Sequence, residues 1–149
     1  MYERILIATD GSELAGKGLA QGFALAKALG SEVTVITVSE PWTALGADAA
    51  GFAVTDFSLA DEYERAAEKT GNDILEAARA DASAEGLACK TAYISRQYPA
   101  DAILDYAAAN GVELIVMASH GRRGIRRVIL GSQTNEVLTR SPIPVLVIR

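Results

Sequence analysis

The sequence has one cysteine, no long apolar run and no basic leader, and each absence excludes a class of protein. Cys89 has no second cysteine to pair with, which excludes an internal disulfide and favours a reducing compartment. No apolar stretch approaches the roughly 20 residues that cross a bilayer, so we expect no membrane span. The first residues also lack the basic and apolar regions of a secretory signal peptide. We therefore expect a cytoplasmic protein.

The charge balance is acidic, with one local exception. The net charge of −5 argues against a broad nucleic-acid surface. Residues 118–132 nevertheless contain four basic residues and no acid, namely Arg122, Arg123, Arg126 and Arg127. A basic patch on an acidic body indicates a small anionic partner, and the alternative interpretation is an ordinary solvated surface.

Motifs of several enzyme classes are missing as well. The sequence contains neither a Walker A loop nor, after the first predicted strand, a dinucleotide-binding fingerprint. It shows no cluster of metal-ligand residues. His120 has no accompanying serine or cysteine nucleophile pattern, so we interpret it as a loop contact and assign no catalytic residue.

Short apolar runs alternate along the chain with helical patterns. The runs predict five buried strands, at residues 5–8, 33–38, 89–94, 114–117 and 144–148. Apolar residues at three- and four-residue spacing predict four helices between them. The first helix follows an N-cap at Ser12 and stops at Gly30, and the second runs from a capping box at Ser58 and Asp61 to about Gly86. The third helix has Pro99 in its first turn and stops at Asn110-Gly111. The fourth helix covers residues 132–140.

This alternation predicts an α/β fold with a doubly wound, five-stranded parallel sheet covered by helices on both faces. With half of its residues apolar, the chain can form a full core, and we interpret residues 1–149 as a single domain. If the strand order is 3-2-1-4-5, the loops that follow strands one and four line the same crevice, where the winding reverses. Residues 39–57 form a long loop in which Trp42 and Phe52 either cover a ligand or form a small cluster of their own.

The segment after strand four is the most informative part of the sequence. Met117-Ala118-Ser119-His120-Gly121 follows an apolar run, and Gly131-Ser132 comes where a new helix should begin. A glycine-containing loop between a strand and a helix offers free backbone N–H groups and the positive end of a helix dipole. This combination predicts a phosphate site. Asp10, which is otherwise an ordinary turn residue before Gly11, would face the same ligand.

The chain resembles the universal stress protein family over nearly its whole length. The resemblance rests on residues 5–12, on the segment from Val116 to Ser132, and on residues 141–147. The ATP-binding branch of that family has the signature Gly, two residues, Gly, nine residues, then Gly followed by Ser or Thr. Here Gly121 and Gly131-Ser132 match the signature, but Ala118 replaces the first glycine. Alanine is tolerated if this position requires only close packing and is unfavourable if it requires a positive φ; we expect tolerance.

The resemblance implies an ATP site, with Mg²⁺ or Mn²⁺ held mostly by the phosphates. Asp10, Thr9 and Ala8 would lie beside the ribose or adenine. Val38 would meet the adenine through its backbone, and Met117 and Ala118 would pack on the ribose side. The residues expected near the phosphates are His120, Gly121, Gly131, Ser132, Gln133 and Thr134.

Three functions follow from this pattern. The first is an ATP-binding regulatory module of the stress response with little or no turnover and at most weak ATP hydrolysis. The second is a signalling or interaction protein of the same fold that binds no nucleotide. The third is an ATP-activating enzyme of the related adenine nucleotide α-hydrolase type, of whose loop Thr9-Asp10-Gly11-Ser12 is a partial match. The resemblance also implies a homodimer formed through the last strand, at residues 144–148, because an open apolar edge strand favours pairing.

Overall fold

The structure is a computed structural model, and it describes residues 1–42, 57–121 and 130–149. Its elements in chain order are β1 (Arg4–Ala8), α1 (Glu13–Leu29), β2 (Glu32–Val38), α2 (Phe57–Ala84), β3 (Cys89–Ile94), α3 (Pro99–Ala109), β4 (Leu114–Ala118), α4 (Ser132–Arg140) and β5 (Val145–Ile148). Phe52 and the four arginines of the predicted basic patch lie outside the described residues.

The five strands form one parallel sheet in the order β3-β2-β1-β4-β5. Two apolar clusters lie on opposite faces of this sheet. One cluster contains residues of α1 and α2, and the other contains residues of α3 and α4. The predicted fold class, strand order and two-sided cover are therefore confirmed.

The strands are apolar throughout because both of their faces are buried. Within β1, Ile5 and Ile7 belong to the cluster on the α1–α2 face, while Leu6 belongs to the cluster on the α3–α4 face. All three side chains are at most 1% exposed. Successive side chains of a strand point to opposite faces, so a central strand covered on both sides has no polar position to alternate with.

Helix α1 lies close to the sheet because two of its glycines leave room for the strands. A Cβ atom on Gly22 would meet the side chain of Ile7 at 2.5 Å, which is too close for a real contact. A Cβ atom on Gly18 would lie 3.9 Å from the backbone nitrogen of Ala118. This packing brings the N-terminal half of α1 next to the carboxyl end of β4.

Most of the predicted helix ends are confirmed. Ser12 is the N-cap of α1 and accepts a hydrogen bond from the N–H of Ala15, and Pro99 is the first residue of α3. The capping box at Ser58 is wrong, because α2 begins at Phe57 and Ser58 is already a helical residue. A side chain caps a helix only from the position before its first turn, and a shift of one residue removes that role.

The edge of the sheet next to β4 is formed by β5, as predicted, although Pro144 precedes the strand. Leu146 in this strand is 37% exposed. None of the helices in the described parts of the chain is long and apolar enough to cross a membrane.

Candidate functional site

The loops that follow β1 and β4 meet at the carboxyl edge of the sheet. These strands are hydrogen-bonded neighbours, with Ile7 paired to Val116. A Cβ atom on Gly121 would overlap Oδ2 of Asp10, so the Asp10 carboxylate lies directly against the Gly121 backbone. The structure thus brings together the two loops that the sequence predicted to share a crevice.

The loop after β1 is a compact turn that fixes the Asp10 side chain. Oδ1 of Asp10 accepts a hydrogen bond from the N–H of Ser12 at 3.0 Å, and Oγ1 of Thr9 accepts one from the N–H of Gly11 at 3.2 Å. Gly11 has a φ of +75°, a conformation that glycine adopts without steric cost. Asp10 is therefore a turn residue, and the same turn holds its second oxygen toward Gly121.

The two ends of the segment between β4 and α4 are fastened to each other. The N–H of Gly131 donates to the carbonyl of Ser119 at 2.8 Å, and the N–H of Ser119 donates to the carbonyl of Ile148 in β5. A Cβ atom on Gly131 would lie 3.3 Å from both the Ser119 carbonyl and Cα of His120. A side chain at this position would crowd the backbone of Ser119 and His120, which glycine avoids.

Ala118, where the family signature has glycine, is the last residue of β4. Among the described residues, the non-glycine residues with positive φ are Tyr2 and Arg96, so Ala118 does not have the left-handed conformation. Its side chain is buried at 8% exposure. The methyl group is accommodated without backbone strain, which removes the conformational objection to alanine here.

The first turn of α4 presents backbone N–H groups that lie before the first helical hydrogen bond. Gly131 is the N-cap of this helix and provides no side-chain hydrogen bond, and Ser132 is the first helical residue. The first helical bond runs from the N–H of Asn135 to the carbonyl of Gly131. Within the described ranges, no hydrogen bond from the N–H groups of Ser132, Gln133 or Thr134 is found. Such donors, together with the helix dipole, form an anion site.

Two side chains of this turn are bonded elsewhere. The hydroxyl of Thr134, which is 3% exposed, donates to the carbonyl of Ala118 at 2.9 Å. Oε1 of Gln133 accepts a hydrogen bond from the N–H of Ala100 in α3, also at 2.9 Å. Phosphate contact at these two positions would therefore come from main-chain N–H groups, while the expected contacts themselves stay predictions.

The remaining predicted residues lie at or just after the carboxyl ends of β1, β2 and β4. Val38 ends β2 and is half-buried, and Ala8 ends β1. The Met117 side chain packs in the core on the α3–α4 face, and its packing against a ribose stays a prediction. Nδ1 of His120 lies 3.2 Å from Oγ of Ser119. Ser119 was not predicted as a site residue, although its backbone N–H and carbonyl bond to Ile148 and Gly131. Its position in the two-residue spacer of the family signature could have identified it.

Trp42 contacts α2. Its ring centroid lies 5.3 Å from that of Tyr63, with an interplanar angle of 56°. The Tyr63 hydroxyl donates to the carbonyl of Glu40 at 3.1 Å, which joins α2 to the chain that follows β2. Of the two alternatives for Trp42, this packing favours an aromatic cluster, in which Tyr63 is a partner within the described residues.

A second concavity lies between α1 and α2. This cleft has a volume of about 400 Å³ and is lined by residues that include Thr9, Ser12, Gly16, Asp73 and Asp81. The carboxylates of Asp73 and Asp81 in this cleft would repel a polyphosphate, whereas the first turn of α4 offers N–H donors. The described parts of the chain contain no group of three or more metal-ligating side chains.

The geometry is that of an α/β protein of the doubly wound class, with backbone N–H groups of α4 presented near the point where the winding reverses. The sequence matches the model of the universal stress protein family over residues 1–149. It is 32% identical to the universal stress protein YxiE of Bacillus subtilis over 149 residues, which cover 100% of both chains. It is 33% identical over 150 residues to a universal stress protein of Thermus aquaticus, again with 100% of both chains covered. The chain belongs to the universal stress protein family.

Solved structures of other proteins share this fold, and two of them are complexes with dAMP or cAMP. MJ0577 of Methanocaldococcus jannaschii superposes with a TM-score of 0.83 at 26% identity, covering 99% of this chain and 96% of that one. An Archaeoglobus fulgidus universal stress protein in complex with dAMP has a TM-score of 0.69 at 23% identity, with 99% and 98% covered. A universal stress protein in complex with cAMP has a TM-score of 0.68 at 21% identity, with 99% and 97% covered.

Proposed function

We propose that this protein is a cytoplasmic regulatory module of the stress response that binds ATP in the crevice between the β1 and β4 loops. The observation that carries the proposal is the first turn of α4, whose backbone N–H groups find no partner among residues 1–42, 57–121 and 130–149, together with the Asp10 carboxylate held against Gly121. The N–H groups of Ser132, Gln133 and Thr134 would bind the phosphates, supported by the helix dipole. The dAMP and cAMP complexes of proteins with this fold support an adenine nucleotide as the ligand.

The nucleoside would lie between the end of β2 and the loop after β1. A carboxylate accepts hydrogen bonds, so Asp10 suits the ribose hydroxyls better than the phosphates. Its second oxygen already faces the crevice at Gly121. The backbone of Val38 and the small, buried Ala118 would border the adenine and ribose, as the family resemblance implies.

The output of this site would be binding and release rather than turnover. Asp10 is the carboxylate that the described loops place at the crevice, and one of its oxygens already accepts the N–H of Ser12. Mg²⁺ or Mn²⁺ would accordingly be held mainly by the phosphate oxygens. Because we place Asp10 at the ribose and not at the phosphates, where a general base would have to activate water, we expect hydrolysis to be weak at most.

Isothermal titration calorimetry with ATP and magnesium tests this proposal with two matched variants. Gly131→Leu places a side chain against the backbone of Ser119 and His120, so we expect nucleotide binding to be lost. Gly16→Leu is the control, because a Cβ atom at Gly16 meets open space and the fold should tolerate it. The leucine would enter the cleft between α1 and α2, so this variant also tests that cleft as the binding site. Loss of binding in the Gly16 variant alone would place the nucleotide in that other cleft and overturn the proposal.

We also propose that β5 pairs with its copy in a homodimer. The carbonyls of Pro144 and Ile148 accept hydrogen bonds from the β4 side, so the polar backbone groups of Val145 and Val147 face the open edge. Val147→Pro removes an outward N–H and leaves the β4–β5 ladder in place. Light scattering should report a monomer for this variant and a dimer for Val147→Ala. A dimeric proline variant would contradict pairing through this edge.

A further inference from the structure

The first turn of α3 is capped by a residue of α4. The N-cap residue of α3, Tyr98, makes no side-chain hydrogen bond, and Pro99 has no N–H. The next residue, Ala100, is 0% exposed, so water cannot satisfy its N–H. Oε1 of Gln133 accepts this N–H at 2.9 Å. A buried donor left without a partner is unfavourable, which makes the Gln133 side chain the cap that α3 lacks.

The same residue belongs to the turn that carries the proposed phosphate donors. Gln133 is the second residue of α4, and its neighbour Thr134 is bonded to the end of β4. The side chains of this turn thus fasten it to α3 on one side and to the sheet on the other. The orientation of its main-chain N–H groups, which have no partner in the described parts of the chain, depends on these two attachments.

We propose that Gln133 is a positioning residue of the nucleotide site, which holds the phosphate-binding turn of α4 against α3 and does not itself contact the phosphates. This inference rests on the proposed function. It further implies that α3 responds to nucleotide binding, because any shift of the α4 turn that the phosphates cause is passed to the N–H of Ala100 through one hydrogen bond.

Two substitutions separate positioning from direct contact. Gln133→Met keeps the length of the side chain but removes the acceptor. Gln133→Glu keeps an acceptor for Ala100, removes the amide donor and adds a negative charge. A positioning role requires the acceptor, so the glutamate variant should resemble the wild type. A direct phosphate contact requires the donor, so the glutamate variant should then bind ATP most weakly.

Arg140→Met serves as the matched control. Arg140 lies at the other end of α4 and donates to Asp101 of α3 at 2.7 Å, so its removal also loosens α3 from α4. It does so away from the phosphate-binding turn. General loosening of the two helices would weaken nucleotide binding in both variants, whereas positioning of the turn predicts weaker binding in Gln133→Met alone.

The experiment measures the affinities for ATP and adenosine by calorimetry and the hydrogen exchange of the Ala100 amide by NMR. For Gln133→Met we expect about tenfold weaker ATP binding, as for the loss of one hydrogen bond, with unchanged adenosine binding and faster Ala100 exchange. Gln133→Glu should retain slow Ala100 exchange and an ATP affinity within about threefold of the wild type.

Several results would overturn the inference. One is a glutamate variant that binds ATP more weakly than the methionine variant. Another is unchanged ATP binding in a folded Gln133→Met protein, and a third is equal loss in Arg140→Met. If Gln133→Met fails to fold, the comparison of Gln133→Glu with the wild type still decides between the two roles. A wild-type protein that binds no ATP would instead overturn the proposed function itself, and with it this inference.

Discussion

Replacement of Gly121 by alanine tests the contact between the two loops. The added Cβ atom would overlap Oδ2 of Asp10. Asp10 cannot turn away freely, because its other oxygen accepts the N–H of Ser12 at 3.0 Å. Hydrogen bonds to charged groups contribute roughly 1.5–3 kcal/mol, so displacement of the carboxylate loses about that much from the binding-competent site. We therefore expect the Kd for ATP to rise by about tenfold to a hundredfold.

Calorimetry measures this change in affinity, and urea denaturation measures the accompanying change in folding. Because Gly121 is exposed and does not have a positive φ, the free energy of unfolding should fall by no more than the value of the lost hydrogen bond. Gly16→Ala is the matched control: its Cβ atom meets open space in α1, and it should stabilise the protein by roughly 0.5–1 kcal/mol without changing the Kd. An unchanged ATP affinity in a folded Gly121→Ala protein would refute the view that Asp10 borders the nucleotide.

Three further predictions concern stability and reactivity. Gly71→Ala should lower the free energy of unfolding in urea by about 1–3 kcal/mol, because its Cβ atom would lie 2.5 Å from the ring of Tyr93; an equally stable variant would contradict this packing. Thr134→Val should cost about 1–3 kcal/mol in the same assay, since the Ala118 carbonyl loses its donor, and no change would mean that the bond is absent. Burial raises the pKa of the Cys89 thiol more than the nearby Arg79 lowers it. The pH at which the thiol becomes reactive toward alkylation should therefore be higher in the folded chain than in the urea-unfolded chain. The stability that the neutral thiol contributes is lost as the pH rises through its folded pKa. Coincident alkylation profiles would contradict the last prediction.

The fold could be predicted because local signals agree with the global arrangement. Strands buried on both faces leave uninterrupted apolar runs such as Ile5 to Ile7, and the turns between elements carry their own residues, such as Ser12 and Pro99. Once the elements alternate, a parallel sheet with a central reversal is one of few arrangements open to the chain. The meeting of the β1 and β4 loops then follows from the strand order.

Side-chain partners across the fold could not be read from the sequence. Gln133 was expected to point at the phosphates, but its Oε1 bonds to α3, 33 residues earlier in the chain. The Met117 side chain packs in the core, because the two-residue alternation of β4 turns it to the α3–α4 face. Such outcomes depend on how α3 and α4 pack against each other, and neither helix carries a local pattern that specifies its neighbour.

An NMR titration of the backbone amides with ATP and magnesium tests the central claim most directly. We predict saturable shifts of the Gly121 and Ser132 to Thr134 amides, together with smaller shifts around Asp10. Amide shifts confined to residues of the α1–α2 cleft, such as Gly16 and Asp73, or no saturable shift at millimolar ATP, would contradict the claim that the first turn of α4 binds the phosphates.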